Sequence, residues 1–186
     1  MLVPLDVRGA DRGTLIDFMT SHEFPFHVGA RPTRAEVEAR LEHGDYDDED
    51  HQAFWVDVLP DGASAGDTPR RVGLVVLEDL TDDAPLFDLR LATRERGHGL
   101  GAVVLRAIVD HVFRTMSRVN RLEGQTREDN IAMRKTFLRA GFVKEAHYRE
   151  GWPVSGGEPL ASVAYGILRK DWETGTTTRF VWEDLA

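Results

Sequence analysis

The sequence predicts a single domain of the mixed α/β or α+β class, with a mostly antiparallel central sheet flanked by about four helices. Three observations lead to this fold class. The chain has 186 residues, of which 41% are hydrophobic, enough for one sizeable core and short for two independent domains. Strand and helix signals follow in the order strand, two helices, three strands, then alternating helix and strand. The links between the three middle strands are short, which favours antiparallel pairing.

The N-terminal elements are a strand and two helices. Residues 2–7 (LVPLDV) alternate as a strand does, and Asp11 is a suitable N-cap for the first helix. The second helix begins at a capping box formed by Thr33 and Glu36, and it ends at Gly44. The loop between the two helices, SHEFPFHVGARP, is rich in aromatic residues and histidines.

Strands and helices alternate through the rest of the chain, and turn-forming residues separate the middle strands. The predicted elements are strands at 52–59, 71–80 and 85–93, a helix at 100–119, a strand at 121–126, a helix at 129–140 and strands at 142–150 and 160–172. We therefore assign the domain to residues 1–172. The remaining tail, residues 173–186, contains Phe180, Val181 and Trp182, a pattern that predicts an extra strand or a contact in a homodimer.

Composition excludes several classes of function. The 23 Lys and Arg residues against 32 Asp and Glu residues give a formal net charge of -9, which argues against nucleic acid as a partner and permits a cationic one. The chain has no cysteine, so disulfides, thiolate zinc sites and a catalytic thiol are absent, and we expect no metal. No signal-peptide pattern or membrane-spanning stretch is evident, which predicts a cytoplasmic protein without membrane contact.

The segment RERGHGLGAVVL, residues 94–105, places three alternate glycines directly before the long helix. The start of a helix exposes unpaired N–H groups at the positive end of the helix dipole. Glycine lets a phosphate approach these groups because it has no Cβ. The segment therefore predicts an anion site, and a tight turn without a ligand is the alternative.

Two familiar phosphate-binding motifs fit this segment poorly. A Walker loop requires a Lys followed by Ser or Thr, and neither is present. GHGLGA does fit the dinucleotide pattern G-x-G-x-x-A, with Glu123 near the spacing of a ribose-binding acid. However, Asp88 and Arg90 interrupt the preceding strand, which in a doubly wound parallel sheet is almost wholly apolar. An NAD-dependent oxidoreductase is therefore a distant alternative.

A third interpretation rests on resemblance to a family. The run from Arg96 to Gly101 resembles the R-G-x-G-x-G pyrophosphate loop of the GCN5-related N-acetyltransferases (GNAT), which bind acetyl-CoA. The segment from Asn130 to Phe142 is similar to that family's coenzyme-side helix. FVKEAHYREGW and SVAYGILRKDW resemble the closing strands of the branch that includes the ribosomal-protein acetyltransferases RimJ and RimL. The three matches occur in the family's order and cover roughly the second half of the chain.

The resemblance implies a GNAT-like fold and direct transfer of an acetyl group from acetyl-CoA, within a ternary complex, to a primary amine. The acceptor would be a small-molecule amine or a protein N-terminus. Backbone groups of the glycine segment would bind the pyrophosphate, and one strand and one helix would bind the rest of the coenzyme. The residues implied are Arg96, Gly97, His98, Gly99, Leu100, Gly101 and Ala102 for the pyrophosphate, Leu89 and Leu91 for pantetheine, and Asn130 for the other side of the coenzyme. Arg134 and Lys135 would contact its ribose phosphate, and the alternative is that they form an ordinary solvated basic face.

An alkyl ammonium must lose a proton before it attacks, so we expect a carboxylate base. Glu145 matches the glutamate proposed as base in the RimL branch, and Asp88 and Glu123 are alternatives. The family's usual acid, a Tyr or a Ser, is replaced here by Phe137 or Met133. This departure leaves the acid unassigned and keeps open a second function, that of a non-catalytic acyl-CoA sensor or interaction module.

The loop between the first two helices borders the acceptor in this family. Here it contains Glu23, Phe24, Phe26 and His27, and we expect at least one aromatic ring to line a pocket beside a carboxylate. The alternative is that both rings fill the core and the histidines are exposed. The acidic run at residues 42–50 would attract a polyamine, an aminoglycoside or a basic N-terminus, or is simply a solvated loop.

Overall fold

The structure is a computed structural model that describes residues 1–59, 62, 64, 66–154 and 156–181. Its strands are β1 (Leu2–Pro4), β2 (Gln52–Val58), β3 (Arg70–Glu78), β4 (Leu86–Leu91), β5 (Arg121–Arg127), β6 (Val143–Trp152) and β7 (Leu160–Leu168). Its α-helices are α1 (Arg12–Ser21), α2 (Arg34–His43), α3 (Leu100–Thr115), α4 (Ile131–Arg139) and α5 (Arg169–Thr174), and a short 3₁₀ turn spans Thr93–Glu95.

The seven strands form one mixed sheet in the order β1-β2-β3-β4-β5-β7-β6. Every neighbouring pair is antiparallel except β4 and β5, which are parallel. The predicted mostly antiparallel sheet is confirmed. The doubly wound parallel sheet that the dinucleotide interpretation requires is not the fold of this chain.

β4 and β5 touch only where they begin. Their single paired position joins Leu86 to Glu123, and the Glu123 N–H donates to the Pro85 carbonyl at 3.1 Å. β5 then pairs along its whole length with β7, whereas β4 stays with β3. The two strands therefore separate, and the sheet has a gap along β4 from Phe87 onward.

Alternation along the strands divides the apolar core between the two faces of the sheet. On β2, Phe54 and Val56 belong to the cluster packed under α3 and α4, whereas Ala53 and Trp55 belong to the cluster packed under α1 and α2. The same period of two places Phe87 in the first cluster and leaves the polar side chains of β4 on the second face.

The two N-terminal helices differ in how they begin. At α2 the predicted capping box is present: the Glu36 N–H donates to Thr33 Oγ1 at 3.3 Å, and the Thr33 N–H donates to Glu36 Oε2 at 2.7 Å. Asp11 precedes α1, but its side chain does not cap the helix. Its carboxylate instead accepts hydrogen bonds from Trp55 Nε1 at 2.9 Å and from the Asp6 N–H at 3.0 Å.

The end of the chain differs from the prediction. β7 stops at Leu168, the last residue paired with β5, and the chain turns into the fifth helix, α5. The Arg169 guanidinium explains the turn, because it donates to the carbonyls of Met116 and Val119 beyond the end of α3, both at 2.7 Å. Continuing the strand would break these bonds without providing a new strand partner. The prediction of a strand to residue 172 was wrong for this reason.

The described part of the tail contains no strand: its first two residues end α5, and irregular chain continues from there to Val181. Thr178 connects it to α5, since its N–H donates to Asp171 Oδ1 at 3.0 Å. Trp182, which the sequence suggested as part of an extra strand or dimer contact, lies outside the described residues. None of the helices in the described ranges is long and apolar enough to cross a membrane.

Candidate active site

The glycine segment forms an open row of N–H groups before α3. Gly97 and Gly99 both have φ +81°, a conformation that side-chain-bearing residues rarely adopt, and a Cβ at either position would meet no atom within 4 Å. The N–H groups of Gly97, His98 and Gly99 have no acceptor among the described residues. The first turn of α3 adds more free N–H groups, since no carbonyl lies one turn earlier. This arrangement is suited to bind an anion.

Arg96 differs from the other residues of the segment. Its N–H already donates to the Thr93 carbonyl at 3.4 Å, so the row of free groups begins at Gly97. Its guanidinium bonds within the domain: Nε donates to the Leu91 carbonyl at 3.0 Å, and Nη2 donates to the Glu23 carbonyl at 2.6 Å. Arg96 therefore connects β4 to the loop between α1 and α2, and contributes a side chain rather than an N–H group.

The open edge of β4 continues from this segment. Because the Ala92 N–H bonds to β3 at the Val72 carbonyl, alternation turns the backbone groups of Leu89 and Leu91 toward the gap. The Leu91 carbonyl already accepts a hydrogen bond from Arg96. Leu89 lies beyond Leu86, the one position of β4 that pairs with β5, and it lines the cleft described next. An extended chain in the gap would pair first with Leu89.

A cleft of about 1130 Å³ occupies the gap between β4 and β5. Residues from both faces of the sheet line it because the sheet is open there. Met133 and Phe137 of α4 contribute from one face, and Arg40 of α2 and His27 of the α1–α2 loop contribute from the other. The cleft thus passes through the sheet and joins two sides with different chemistry, an apolar one and a charged one.

The α4 side of the cleft is held by Asn130. Its side-chain oxygen accepts from the Met133 N–H at 3.2 Å, which caps α4, and its amide nitrogen donates to Thr126 Oγ1 at 3.0 Å. Phe137 is fully buried and stacks on Tyr165, with ring centroids 4.7 Å apart. Neither Phe137 nor Met133 offers a hydroxyl to the cleft.

The structure places the neighbouring basic residues Arg134 and Lys135 of α4 differently from one another. Arg134 turns inward, where Nη1 donates to the Glu128 carbonyl at 2.7 Å and Nε donates to the Tyr165 hydroxyl at 3.3 Å. The guanidinium of Arg134 therefore bonds within the domain. Contact with a ribose phosphate would require it to face solvent instead. Lys135 is exposed.

The α1–α2 loop supplies three of the four expected acceptor residues to the cleft: Glu23, Phe26 and His27. Glu23 is paired with Arg31 at 2.8 Å. Phe24 is not among the lining residues in the described chain. The Phe24 side chain is 1% exposed and lies beneath the guanidinium of Arg96. It belongs to the apolar cluster between the sheet and α1.

Asp88 is held between two basic side chains. His27 Nε2 lies 2.8 Å from Asp88 Oδ1, and the Arg90 guanidinium bonds to Oδ2 at 2.8 Å. Burial opposes ionisation of Asp88, but the charges and hydrogen bonds of Arg90 and His27 outweigh it and hold its pKa far below the usual range. Such a carboxylate is too weak a base to remove a proton from an amine, so Asp88 is suited to orient His27.

Glu145 and Glu123 are brought together outside the cleft. The Arg121 guanidinium pairs with Glu145 and donates to Glu123 Oε2 at 2.6 Å. Neither carboxylate is among the lining residues in the part of the chain that the structure describes. This ion-paired placement outside the cleft lining is a structural reason against either of them as the base.

The acidic run at residues 42–50 also lies apart from the cleft lining. Several of its carboxylates have local partners: Asp45 accepts from Arg40 Nε at 2.8 Å, and Asp48 Oδ1 accepts from the His51 N–H at 2.8 Å. These bonds favour a structured turn between α2 and β2.

Sequence reasoning missed Glu78 and Trp152, which both line the cleft. Glu78 is the last residue of β3, directly after the apolar run from Val72 to Leu77, and this charged end of a buried strand was the available signal. Burial, reinforced by the charge of Asp88, raises the pKa of Glu78 to about 7. The Trp152 indole N–H is buried without a partner among the described residues, as is Nδ1 of His27.

No metal site is evident in the described ranges, because they contain no group of three or more His, Cys, Asp or Glu side chains placed to hold an ion.

Comparison with solved structures shows the same fold. The chain resembles a spermidine N-acetyltransferase from Vibrio cholerae in complex with CoA and spermine, with 19% identity, 93% of this chain and 97% of that chain covered, and a TM-score of 0.69. A chimera of Vibrio cholerae SpeG with hSSAT gives 18% identity, coverage of 93% and 97%, and a TM-score of 0.72. SpeG in complex with manganese ions gives 18% identity, coverage of 95% and 96%, and a TM-score of 0.69.

A search of curated protein sequences gives no significant match. A family model does match: the acetyltransferase (GNAT) domain, over residues 1–143, which is most of the chain. The predicted family is confirmed, and an acyl-CoA-dependent acyltransferase is the class of enzyme that it describes. The chain belongs to the acetyltransferase (GNAT) domain family.

Proposed function

We propose that this protein transfers the acetyl group of acetyl-CoA directly to a primary amine of a small cationic molecule. The observation that supports this most strongly is the continuity of one path: free N–H groups at Gly97–Gly99, then the unpaired edge of β4 at Leu89, then a cleft that opens through the sheet. A pyrophosphate, a pantetheine amide and an acyl group occur in that order along acetyl-CoA.

The residues along the path fit the coenzyme. When bound, acetyl-CoA supplies the acetyl group as a reactive thioester. The N–H groups from Gly97 to Ala102 are suited to bind its diphosphate, and the backbone of Leu89 is suited to pair with pantetheine as an added strand would. Asn130 fixes the wall on the α4 side through its cap, and Arg134 supports that wall from within.

The charge of the cleft favours a cationic acceptor. Its lining contains five carboxylates against three arginines, and the carboxylates are Glu23, Glu36, Glu78, Asp79 and Asp88. The formal charge of -9 on the whole chain acts in the same direction over a longer range. One of the similar structures is a spermidine N-acetyltransferase in complex with CoA and spermine, which agrees with a polyamine-like acceptor here. A protein N-terminus remains the alternative acceptor that we predict from sequence.

The proposed reaction does not need a side-chain acid. Phe137 and Met133 replace the family's usual hydroxyl residues, so we expect the coenzyme to leave as a thiolate. A thiol has a pKa of about 8.5, and its thiolate is a tolerable leaving group near neutral pH.

Isothermal titration with acetyl-CoA tests the coenzyme site. We expect the wild type to bind and Gly99→Asp to lose binding, because a carboxylate and a Cβ would occupy the open N–H row. Gly62→Asp is a matched control, since Gly62 also has positive φ, +74°, and open space around it. Absence of binding by the wild type would contradict the proposal.

Release of free thiol distinguishes the enzyme from its alternative. The protein is mixed with acetyl-CoA and one amine at a time: spermidine, kanamycin or a peptide with a free N-terminus. We expect release with at least one amine and fastest release with spermidine. Binding of acetyl-CoA without release with any amine would instead support an acyl-CoA sensor, the alternative that the missing acid suggests.

Three further features stay predictions from the sequence: membership of the RimJ/RimL-like branch, a cytoplasmic location and a homodimer.

A further inference from the structure

We propose that Glu78 is the catalytic base of this enzyme and accepts the proton of the acceptor ammonium inside the cleft. This inference rests on the acetyltransferase function proposed above. It assigns a role to a residue that neither the glycine segment nor the resemblance indicated.

Glu78 lies at the correct place in the sheet. It ends β3 opposite Leu86, and the next pair on the same face joins Val76 to Asp88. Glu78 and Asp88 are therefore diagonal neighbours on the face covered by α1 and α2. Leu86 is also the point at which β4 leaves β5, so Glu78 stands beside the opening of the gap on its charged side.

The Glu78 carboxylate is uncommitted, whereas most of the carboxylates around it have partners. No side chain or N–H group among the described residues bonds to the carboxylate of Glu78, whose backbone pairs with Leu86. By contrast, Asp88 is bound by His27 and Arg90, and Glu36 is held by the cap of α2. A base must have a free lone pair facing the substrate, and among the partly buried carboxylates of the cleft this condition is met at Glu78.

The charges that face Glu78 keep it a useful base. Burial is the main reason that its pKa rises to about 7, and the ionised Asp88 and Asp79 raise it further. Arg40 on α2 and His51 before β2 act in the opposite direction. A carboxylate with a pKa near the working pH accepts a proton more strongly than an ordinary glutamate and is still substantially ionised.

The step balances as follows. One proton of the substrate ammonium passes to the Glu78 carboxylate, which leaves a neutral amine with a free lone pair. The amine nitrogen forms a bond to the acetyl carbonyl carbon, and the carbon–sulfur bond breaks. The second proton lost by the nitrogen neutralises the departing thiolate, and Glu78 returns its proton to solvent.

Two carboxylate variants test the assignment under identical conditions. Thiol release is measured between pH 5.5 and 9 for the wild type, Glu78→Gln and Glu145→Gln, with acetyl-CoA and the amine that supports the fastest release. We expect Glu78→Gln to lower kcat by about 100-fold or more while the Kd for acetyl-CoA stays within about twofold. We expect Glu145→Gln to retain wild-type turnover, because Arg121 holds Glu145 outside the cleft.

The pH profile is a second readout. The wild-type rate is expected to rise with pH through about pH 7, and Glu78→Gln is expected to lose this rise. Wild-type turnover in Glu78→Gln, or loss of turnover in Glu145→Gln alone, would overturn the assignment but leave the acetyltransferase intact. Failure of the wild type to bind acetyl-CoA would instead overturn the proposed function.

A third measurement does not require an acceptor. Carboxyl ¹³C NMR of the wild type, assigned by comparison with Glu78→Gln, follows the Glu78 resonance directly. We expect a titration near pH 7. A titration near that of an ordinary glutamate, about 4.3, would contradict the inference.

Discussion

The Nε2 atom of His27 lies 2.8 Å from Oδ1 of Asp88, which joins the loop between α1 and α2 to the middle of β4. The two residues are 61 positions apart, and β4 is the strand whose free edge borders the cleft. Arg90 completes the group at the other carboxylate oxygen. The α1–α2 loop and the strand proposed to bind pantetheine are thus connected through the carboxylate of Asp88, in addition to the bonds of Arg96.

This arrangement predicts that Asp88→Asn destabilises the protein at neutral pH. The variant would leave the guanidinium of Arg90, which is only 8% exposed, without its counter-charge, and we expect a loss of about 3 to 5 kcal/mol in urea unfolding. Asp129→Asn is the matched control. Asp129 also pairs with an arginine, Arg127, but is itself about half exposed, so we expect a loss of no more than about 1 kcal/mol. Equal losses in the two variants would contradict the prediction.

The effect of Asp88→Asn should depend on pH in a known direction. The pKa of Asp88 is depressed in the folded protein, so its ionised form contributes stability above the unfolded value of 3.8. That contribution is lost as pH falls below this value toward the folded pKa. Unfolding followed between pH 7 and pH 2.5 should therefore show the wild type and the variant converging at the acidic end.

Glu78 predicts the opposite pH dependence. Its folded pKa of about 7 exceeds the unfolded 4.5, so the protonated form favours the folded state. This stability is fully present below 4.5 and is lost as pH rises through about 7. We expect Glu78→Gln, which resembles the protonated form, to match the wild type near pH 4.5 and to exceed it by about 1 to 3 kcal/mol at pH 8. Equal stability of the two proteins at pH 8 would show that the surroundings of Glu78 do not disfavour its ionised form.

Gly124 offers a test of the wall between β5 and α4. A Cβ at this position would lie 2.7 Å from the ring of Phe137 and 2.8 Å from that of Phe87, and both rings are buried. Because the added methyl group would force buried rings to shift, Gly124→Ala is expected to cost about 1 to 3 kcal/mol in thermal or urea unfolding. Gly13→Ala is the control, since a Cβ there meets nothing within 4 Å and lies in a helix. A neutral Gly124→Ala would mean that α4 can move away from β5.

The sequence predicted the sheet, because its main determinants are local. Alternation defined the buried faces of β2 and β3, and Thr33 with Glu36 defined the start of α2. The end of β7 was not predictable in the same way. Arg169 acts on carbonyls about 50 residues away in sequence, and no local pattern encodes such a bond.

The same distinction applies to the site. The glycine segment was recognisable because the required conformation is specified by residue type at each position. The roles of the carboxylates were not recognisable. Whether a glutamate lines the cleft or pairs with an arginine depends on the register between strands that are distant in sequence. Glu145 had a matching position in a related branch, yet Arg121 pairs with it, and Glu78 looked like the polar end of a strand.

Arg96 leads to the last prediction, which concerns both halves of the site together. Its guanidinium bonds to the Leu91 carbonyl of β4 and to the Glu23 carbonyl of the α1–α2 loop. Removing this guanidinium in Arg96→Ala should loosen both the segment before Gly97 and the α1–α2 loop, which is proposed to border the acceptor. Each charge-assisted bond contributes about 1.5 to 3 kcal/mol, so we expect the Kd for acetyl-CoA and the KM for the amine each to rise by about tenfold. Arg94→Ala is the control, because Arg94 is 75% exposed and pairs only with Glu95 among the described residues. A change in the Kd for acetyl-CoA without any change in the KM for the amine would show that Arg96 does not connect the two sides.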